Sequence, residues 1–206
     1  MAHGTHDYDI DPRNADIIIG INDDLLPREK AMVSVFDSGF MLGDGVWEGI
    51  RVHGGKLAFL GDHLRRLYEG AMGIDMDIGR SPAELTSMIQ ATLDANDMGD
   101  ADGVHIRLMV TRGVKSTPYQ DPRFTITPAT IVIIAEYKTA RPETLTQGVR
   151  LYTVSTRRGR PDVQDPKWNS HSKLNCISAC IQATKAGADE ALMLDPQGFV
   201  ATCNST

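Results

Sequence analysis

The sequence has little of what a secreted, membrane-spanning or nucleic-acid-binding protein needs. Only three of its 206 residues are cysteine, a small odd number that favours a reducing, cytoplasmic compartment over a disulfide framework. The longest apolar runs, such as residues 129–135, are far too short to cross a bilayer. Residues 1–16 lack the apolar segment of a secretory signal. The net charge of -6 argues against a surface that binds nucleic acid.

What is present is enough apolar material for a globular core. Hydrophobic residues make up 41% of the chain and charged residues 23%, and both shares are near the average of folded domains. At 206 residues the chain has the length of one large domain or two small ones.

Hairpin and helix signals alternate along the first part of the chain. Gly54-Gly55 separates two strand-like segments and predicts a hairpin. Apolar spacing predicts a helix over 62–72, and residues 81–84 form a capping box that opens another. Residues 104–111 and 130–137 are strong strand candidates. Two further strands are expected at residues 17–21 and 32–36. Because the early strands come as hairpins and not as β-α-β units, the pattern indicates an α+β fold.

A polar segment with a proline divides the predicted domains. We expect a flexible tail over 1–16, a small α+β domain over 17–137, a linker over 138–147 and the start of a larger domain over 148–206. The second part is small for an independent core. We therefore expect this second lobe to be incomplete or to lean on another part of the protein.

The second part repeats the mixed pattern, and a long loop precedes it. A strand is expected over 149–155, a helix over 172–186 that Gly187 ends, and a hairpin over 190–203. The loop over 113–128 contains three prolines and is longer than a simple connection requires. We expect such a loop to cover a site.

Three side chains are candidates for chemistry. Trp47 follows a tight turn at 43–45. Arg66 lies beside the buried face of its helix, where a guanidinium can bind an anion through two N–H groups. Lys173 lies near a helix start beside residues 170–172, a setting that suits a phosphate group and favours loss of the lysine's proton. Each alone is also explained by an ordinary role, as part of a turn or as a solvated cation.

Together these segments resemble the fold type IV pyridoxal-phosphate enzymes, which include branched-chain and D-amino-acid aminotransferases and aminodeoxychorismate lyase. The matching stretches are FDSGFMLGDGVWEGIRVHGGKLAFLGDHLRRL at 36–67 and GADEALMLDPQGFVATCNST at 187–206. Residues 165–187 match less closely. The resemblance spans most of the chain from about residue 17 onward.

The resemblance implies a two-lobed D-amino-acid-aminotransferase-like fold with pyridoxal 5'-phosphate (PLP) in the cleft between the lobes. It also implies a homodimer whose partner helps to close the site. The expected reaction transfers an amino group between a small or branched amino acid and a 2-oxo acid. A lyase like aminodeoxychorismate lyase and a catalytically silent PLP-binding relative are the alternatives. No metal is expected.

The resemblance also assigns residues by position. Arg66 matches the arginine that binds the cofactor phosphate, Ser205 a small hydroxyl residue near that phosphate, and Trp47 an aromatic residue of the substrate pocket. The arginines on the strand and loop that face the substrate in this family are candidates for a substrate carboxylate. These are Arg107, Arg112 and Arg123, of which Arg107 is assigned to the substrate.

Two positions depart from the family pattern. An alignment without gaps places Asn169 in the slot of the cofactor-binding lysine, and Lys173 lies four residues later. A gap in the loop places Lys173 in that slot directly, so Lys173 is the expected catalytic lysine and Lys167 its reserve. Thr202 stands where most members have a glutamate against the cofactor's ring nitrogen. A hydroxyl cannot compensate a pyridinium charge, so slow transamination, racemisation or elimination becomes more plausible.

Overall fold

The computed structural model describes residues 10–139 and 142–205. Its contacts divide the chain into two units. The larger unit contains Asp11–Lys138 and Trp168–Ser172, and the smaller unit contains Thr139–Lys167 and the segment from Lys173 onward. Most of the predicted tail lies outside the described residues.

The larger unit is built on an antiparallel sheet. Its elements, in chain order, are β1 (Ile18–Ile21), β2 (Asp24–Pro27), α1 (Ser38–Leu42), β3 (Gly45–His53), β4 (Lys56–Leu57), α2 (Leu60–Gly73), α3 (Pro82–Asp94), β5 (Val104–Thr111) and β6 (Thr130–Tyr137). The strand order in the sheet is β2-β1-β6-β5-β3-β4. All the pairs are antiparallel, so the α+β fold class predicted from the hairpin pattern is confirmed.

Helices α2 and α3 pack on one face of this sheet and enclose the core. Helix α2 contacts β3, and α3 contacts β6 and β1. Alternate residues of the strands point into this core. The fully buried side chains there include Ile50, Leu85, Ile89, Ile106 and Leu108. The other face carries the residues between them, such as Trp47 and Arg107, which are half-buried.

The strongest local signals are confirmed. The strands predicted over 104–111 and 130–137 form with those bounds. Gly54 and Gly55 form the predicted turn with φ values of 55° and 70°, the left-handed region that a two-residue hairpin of this kind requires. Ser81 and Glu84 make both hydrogen bonds of the capping box that begins α3.

The strand predicted over 32–36 is wrong. That segment has no ladder partner, and Met32, Val35 and Phe36 are exposed. The apolar run instead leads to the short helix α1, whose N-cap Asp37 accepts a hydrogen bond from the Gly39 backbone at 2.8 Å. A stretch of five residues with four apolar side chains does not by itself distinguish a strand from an exposed apolar loop.

The described end of the predicted tail is tied to the sheet. Residues 12–14 form a 3₁₀ turn, and Asn14 is buried. The Asn14 side-chain amide donates to the Tyr137 carbonyl at 2.8 Å, and the Tyr137 N–H donates back to the Asn14 oxygen at 2.8 Å. These two hydrogen bonds attach the segment before β1 to the last residue of β6.

The smaller unit is a three-stranded sheet with one longer helix. Its elements are α4 (Glu143–Gln147), β7 (Leu151–Thr153), α5 (Leu174–Lys185), β8 (Glu190–Leu194) and β9 (Val200–Cys203). Strand β7 is parallel to β8, and β8 is antiparallel to β9 as the hairpin prediction requires. Its core consists of Val154, Ala179, Ala183, Ala188, Ala191 and Met193. Helix α5 ends before Gly187, which has the expected positive φ of 75°.

Candidate functional site

Arg66 is held by a buried carboxylate. In α2, Leu64 and Leu67 point into the core and Arg66 lies beside them. Its Nε donates to Glu48 Oε1 at 2.7 Å and its Nη2 donates to Glu48 Oε2 at 2.6 Å. The side chain of Glu48 is 0% exposed and that of Arg66 is 52% exposed. These two hydrogen bonds occupy two of the five N–H donors of the Arg66 guanidinium. The guanidinium lies at the surface, where it can bind an anion.

His63 completes this cluster. Its Nδ1 lies 2.7 Å from Glu48 Oε2, and it precedes Arg66 by three residues on the same helix. Because an ionised carboxylate can only accept, Nδ1 carries the proton. The hydrogen bonds to Glu48 raise the pKa of Arg66, against the opposing effect of burial. The guanidinium therefore stays charged at every working pH.

Glu48 and His63 are not among the residues predicted from the sequence, although the sequence contains a signal for Glu48. Glu48 occupies a core position of β3 between Val46 and Ile50, and both neighbours are buried. A charged residue in a series of buried apolar positions requires a partner. The two-residue period of the strand places Glu48 among these buried positions.

The opposite face of the sheet brings together the two residues assigned to the substrate. The guanidinium carbon of Arg107 lies 3.9 Å from the centroid of the Trp47 ring. The two residues are on neighbouring strands, and Arg107 is the register partner of Gly49. Burial lowers the pKa of Arg107, while the charge of Glu136 opposes this shift.

More cationic groups lie on this face. Burial lowers the pKa of Lys138, the charge of Glu136 opposes the shift, and the charges of Arg107 and Arg51 add to it. Arg51 donates a short hydrogen bond to the Lys138 carbonyl. This concentration of positive charge beside an indole ring is suited to bind a carboxylate.

The other two arginine candidates are engaged by carboxylates of their own chain. Arg112 binds Asp44 at 2.7 and 3.1 Å and donates to the carbonyls of residues 74 and 75, each at 2.7 Å. Arg123 is exposed and binds Asp121 at 2.5 Å. Both arrangements are ordinary structural ion pairs, so we do not assign either arginine to a substrate.

Lys173 lies at the start of a helix, as predicted. It is the residue before α5 and is half-buried, and its carbonyl accepts a hydrogen bond from the Ile177 N–H at 2.9 Å. The reserve residue Lys167 is mostly exposed and forms an ion pair with Asp165 at 3.5 Å. Lys173 and Lys167 belong to the smaller unit, whereas Arg66, Trp47 and Arg107 belong to the larger one.

The segment between these lysines is attached to β3. The Trp47 N–H donates to the Asn169 carbonyl at 2.9 Å, and Ser170 forms a bridge with Val46. His171 Nε2 lies 3.0 Å from the Val46 carbonyl, so this nitrogen carries the proton. Ser170 and His171, which the sequence suggests as phosphate donors beside Lys173, therefore belong to the larger unit and contact the backbone of β3.

Thr202 and Ser205 lie at the end of the second sheet. Thr202 is the register partner of Met193, which is buried. The Ser205 hydroxyl lies 2.9 and 3.1 Å from the two carboxylate oxygens of the buried Glu190, to which it donates. It also accepts from the Asn204 side-chain amide at 2.7 Å. A phosphate near Ser205 would have to compete with Glu190 for the hydroxyl hydrogen.

A buried lysine, which is not among the residues predicted from the sequence, links two parts of the loop over 113–128. Lys115 is 1% exposed, and its Nζ donates to the Asp121 carbonyl at 3.0 Å. Its backbone N–H donates to the Phe36 carbonyl at 2.9 Å. A lysine in a polar, proline-rich segment gives no signal of burial, because the residue type is nearly always solvated.

Three negative findings apply to the described residues. Over 10–139 and 142–205, no group of three or more His, Cys, Asp or Glu side chains could hold a metal ion. No helix in those ranges is long and apolar enough to pass through a membrane. The cysteines at 176, 180 and 203 are free thiols.

Comparison with known proteins identifies the family. The profile of the amino-transferase class IV family matches residues 45–206. The branched-chain-amino-acid aminotransferase-like protein 2 of Arabidopsis thaliana is 39% identical over 195 residues, which cover 95% of this chain and 34% of that protein. The D-alanine aminotransferase of Bacillus licheniformis is 37% identical over 99 residues, covering 48% of this chain and 34% of that protein. The chain therefore belongs to the class IV amino-transferases, as the resemblance predicted.

Solved structures agree with this assignment. The branched-chain aminotransferase of Thermoproteus uzoniensis with norvaline is 27% identical with a TM-score of 0.79, and the match covers 92% of this chain and 63% of that one. The T.th. branched-chain amino acid aminotransferase with pyridoxamine 5'-phosphate is 28% identical with a TM-score of 0.80 and the same coverage. The chain thus spans about a third of the Arabidopsis relative and less than two thirds of the solved enzymes.

Proposed function

We propose that the protein is a PLP-dependent aminotransferase that exchanges an amino group between a small or branched amino acid and a 2-oxo acid. The match of the class IV family over residues 45–206 carries this proposal, because it includes both Arg66 and Lys173. Related structures add support, since the T.th. enzyme was solved with pyridoxamine 5'-phosphate and with a phosphopyridoxyl glutamate.

The chemistry of Arg66 fits the phosphate group of this cofactor. A half-exposed guanidinium that a buried carboxylate already holds in place is a ready site for a doubly charged anion. When bound, PLP supplies the electron sink for the reaction at the α-carbon of the amino acid. We assign Arg66 to the phosphate and Ser205 to the same group, where the hydrogen bond from Ser205 to Glu190 is a competing contact.

Lys173 is the proposed catalytic residue. Its amine would hold the cofactor at the aldehyde carbon until the amino group of the substrate takes its place. The freed amine would then take the proton from the α-carbon of the amino acid and deliver it to the former aldehyde carbon. Trp47 would shape the substrate pocket, and Arg107 would bind the substrate carboxylate from its position over the Trp47 ring.

Thr202 is the proposed partner of the cofactor's ring nitrogen. A hydroxyl does not hold that nitrogen protonated as a carboxylate does, so the electron sink is weaker. We expect amino transfer to be slower than in relatives that have glutamate at this position. The same residue favours a second candidate, a relative that binds PLP but does not catalyse the reaction.

A homodimer is part of the proposal. Met32, Val35 and Phe40 are exposed apolar side chains within one short segment of the larger unit, and such a patch is typical of an interaction surface.

A cytoplasmic location is also proposed, because the three cysteines are free thiols.

The test is an amino-transfer assay with purified protein and added PLP. L-leucine, L-alanine and D-alanine serve as donors and 2-oxoglutarate as acceptor, with Lys173→Ala and Lys167→Ala as paired variants. We expect transfer from one of the donors that Lys173→Ala abolishes and Lys167→Ala retains. Release of pyruvate from aminodeoxychorismate without transfer would indicate the lyase, and PLP binding with neither reaction would indicate the silent relative.

A further inference from the structure

Glu48 occupies a place where the fold has no need of a charge. It lies on the face of β3 that packs against α2, and its neighbours on that face, Val46, Ile50 and Val52, are buried apolar residues. A buried position of this kind is normally taken by an apolar side chain. A carboxylate without water loses its hydration, and it is tolerated only when partners supply several hydrogen bonds.

Among the described residues, the hydrogen-bond partners of the Glu48 carboxylate are two side chains of α2. Both carboxylate oxygens accept from Arg66, at 2.7 and 2.6 Å, and Oε2 also accepts from His63 at 2.7 Å. Two parallel hydrogen bonds fix the plane of a guanidinium as well as its position. His63 in turn prevents the carboxylate from rotating away from the arginine.

The exposure of the three side chains forms a gradient. Glu48 is 0% exposed, His63 22% and Arg66 52%. The buried carboxylate therefore holds, by two hydrogen bonds, a guanidinium that is half exposed at the surface. An exposed arginine without such a partner samples many rotamers, and binding an anion would cost it that freedom.

We infer that Glu48 is a positioning residue that fixes the guanidinium of Arg66 for the phosphate group of the cofactor, with His63 holding the carboxylate. This inference rests on the proposed function, because it takes Arg66 as the phosphate ligand. Glu48 touches neither substrate nor cofactor in this role. Its effect is confined to how well Arg66 recognises a phosphate.

A second ion pair in the same unit provides a matched control. Arg112 and Asp44 also form two hydrogen bonds, at 2.7 and 3.1 Å. Their side chains are 14% and 20% exposed, and Arg112 is further occupied by two backbone carbonyls. Asp44→Asn therefore weakens a comparable ion pair whose arginine has no proposed ligand.

The experiment compares the affinities for PLP and for pyridoxal, which lacks only the phosphate. The ratio of the two dissociation constants isolates phosphate recognition from folding and from binding of the aldehyde. Glu48→Gln keeps the size of the side chain but replaces one acceptor oxygen with an NH2 group. We expect it to reduce the preference for PLP by on the order of tenfold, the loss typical when an outer partner that orients a binding group is removed. Pyridoxal affinity should stay unchanged, and Asp44→Asn should leave the ratio as in the wild type.

The possible outcomes separate this inference from the proposed function. If Arg66→Met abolishes the preference for PLP and Glu48→Gln retains it, Arg66 binds the phosphate and the role of Glu48 is refuted. A preference that rises in Glu48→Gln also refutes it, because Glu48 would then only weaken the positive charge. If the wild-type protein does not distinguish PLP from pyridoxal, the assignment of Arg66 fails and the inference fails with it.

Two further measurements keep the inference testable if Glu48→Gln is unstable. Glu48→Leu fills the apolar position and leaves Arg66 without its partner, so it should lose the PLP preference to the same extent. In the wild type, the Arg66 Nε–H resonance, assigned with Arg66→Lys, should exchange slowly with water before and after addition of inorganic phosphate. If the Arg66 Nε–H exchanges with water as fast as the Nε–H of the exposed Arg65, the inference is overturned.

Discussion

The guanidinium of Arg107 lies over the indole ring of Trp47, with its central carbon 3.9 Å from the ring centroid. A cation over an aromatic face is stabilised by roughly 0.5–2 kcal/mol, more when water is excluded. The stack also limits the rotamers of both side chains. Arg107 is thereby held in one orientation by Trp47, the other residue that we propose for the substrate.

Replacing Arg107 tests its assignment to the substrate carboxylate. We expect Arg107→Met to raise KM for the 2-oxo acid by roughly tenfold or more, about 1.4 kcal/mol of lost binding, with a smaller change in kcat. Arg107→Lys should recover little, because lysine cannot reproduce the planar stack or the paired N–H groups. The measurement is steady-state kinetics. Arg65→Met, which removes an exposed arginine of α2, serves as the control, and equal KM values in both variants would refute the assignment.

The ion pair in the long loop predicts a pH dependence. Hydrogen bonds from Arg123 lower the pKa of Asp121 from 3.8 to about 2. A carboxyl group whose folded pKa is lowered stabilises the folded state above its unfolded pKa. That contribution disappears as the pH falls from about 3.8 to about 2. The loop should therefore loosen only in this acidic range.

Carbon NMR of the Asp121 carboxyl group measures this shift directly. In Arg123→Gln the pKa should return toward its ordinary value, because the main cause of the shift is gone. Arg13→Gln is the matched control, since Arg13 in the same way lowers the pKa of Asp11, and it should leave the Asp121 titration as in the wild type. An unchanged Asp121 titration in Arg123→Gln would show that another group is responsible.

The core of the larger unit gives a prediction of stability. Leu85 of α3 is fully buried, so Leu85→Ala should lower the free energy of unfolding by about 2–5 kcal/mol through lost burial and a cavity. Gln90→Ala changes an exposed position of the same helix and should cost less than about 0.5 kcal/mol. Urea denaturation of both variants provides the comparison. Similar midpoints would mean that α3 does not pack on the sheet as described.

Much of the fold could be predicted because local patterns determine it. Strands β5 and β6 alternate buried and half-buried residues, and Ser81 with Glu84 begins a helix through contacts only three residues apart. The apolar run over 32–36 was misleading, because its side chains are exposed in the described unit. The sequence shows that these residues are apolar, but it does not show whether they contact a core or remain exposed.

The candidate site was predictable only in part. The family resemblance pointed to Arg66, Trp47 and Lys173, and their roles remain predictions. Glu48 and His63 are separated by fifteen residues in sequence and meet only because α2 packs on β3. Lys115 gave no signal at all, since its burial depends on how the loop folds back at Asp121.

The central claim is that Lys173 is the residue that binds the cofactor. The most direct measurement is to incubate the protein with PLP, reduce the mixture with borohydride and locate the modified peptide by mass spectrometry. We predict a phosphopyridoxyl group on Lys173, none on Lys167, and no labelling in Lys173→Ala. Stoichiometric PLP binding with an unmodified Lys173 after reduction would contradict the account.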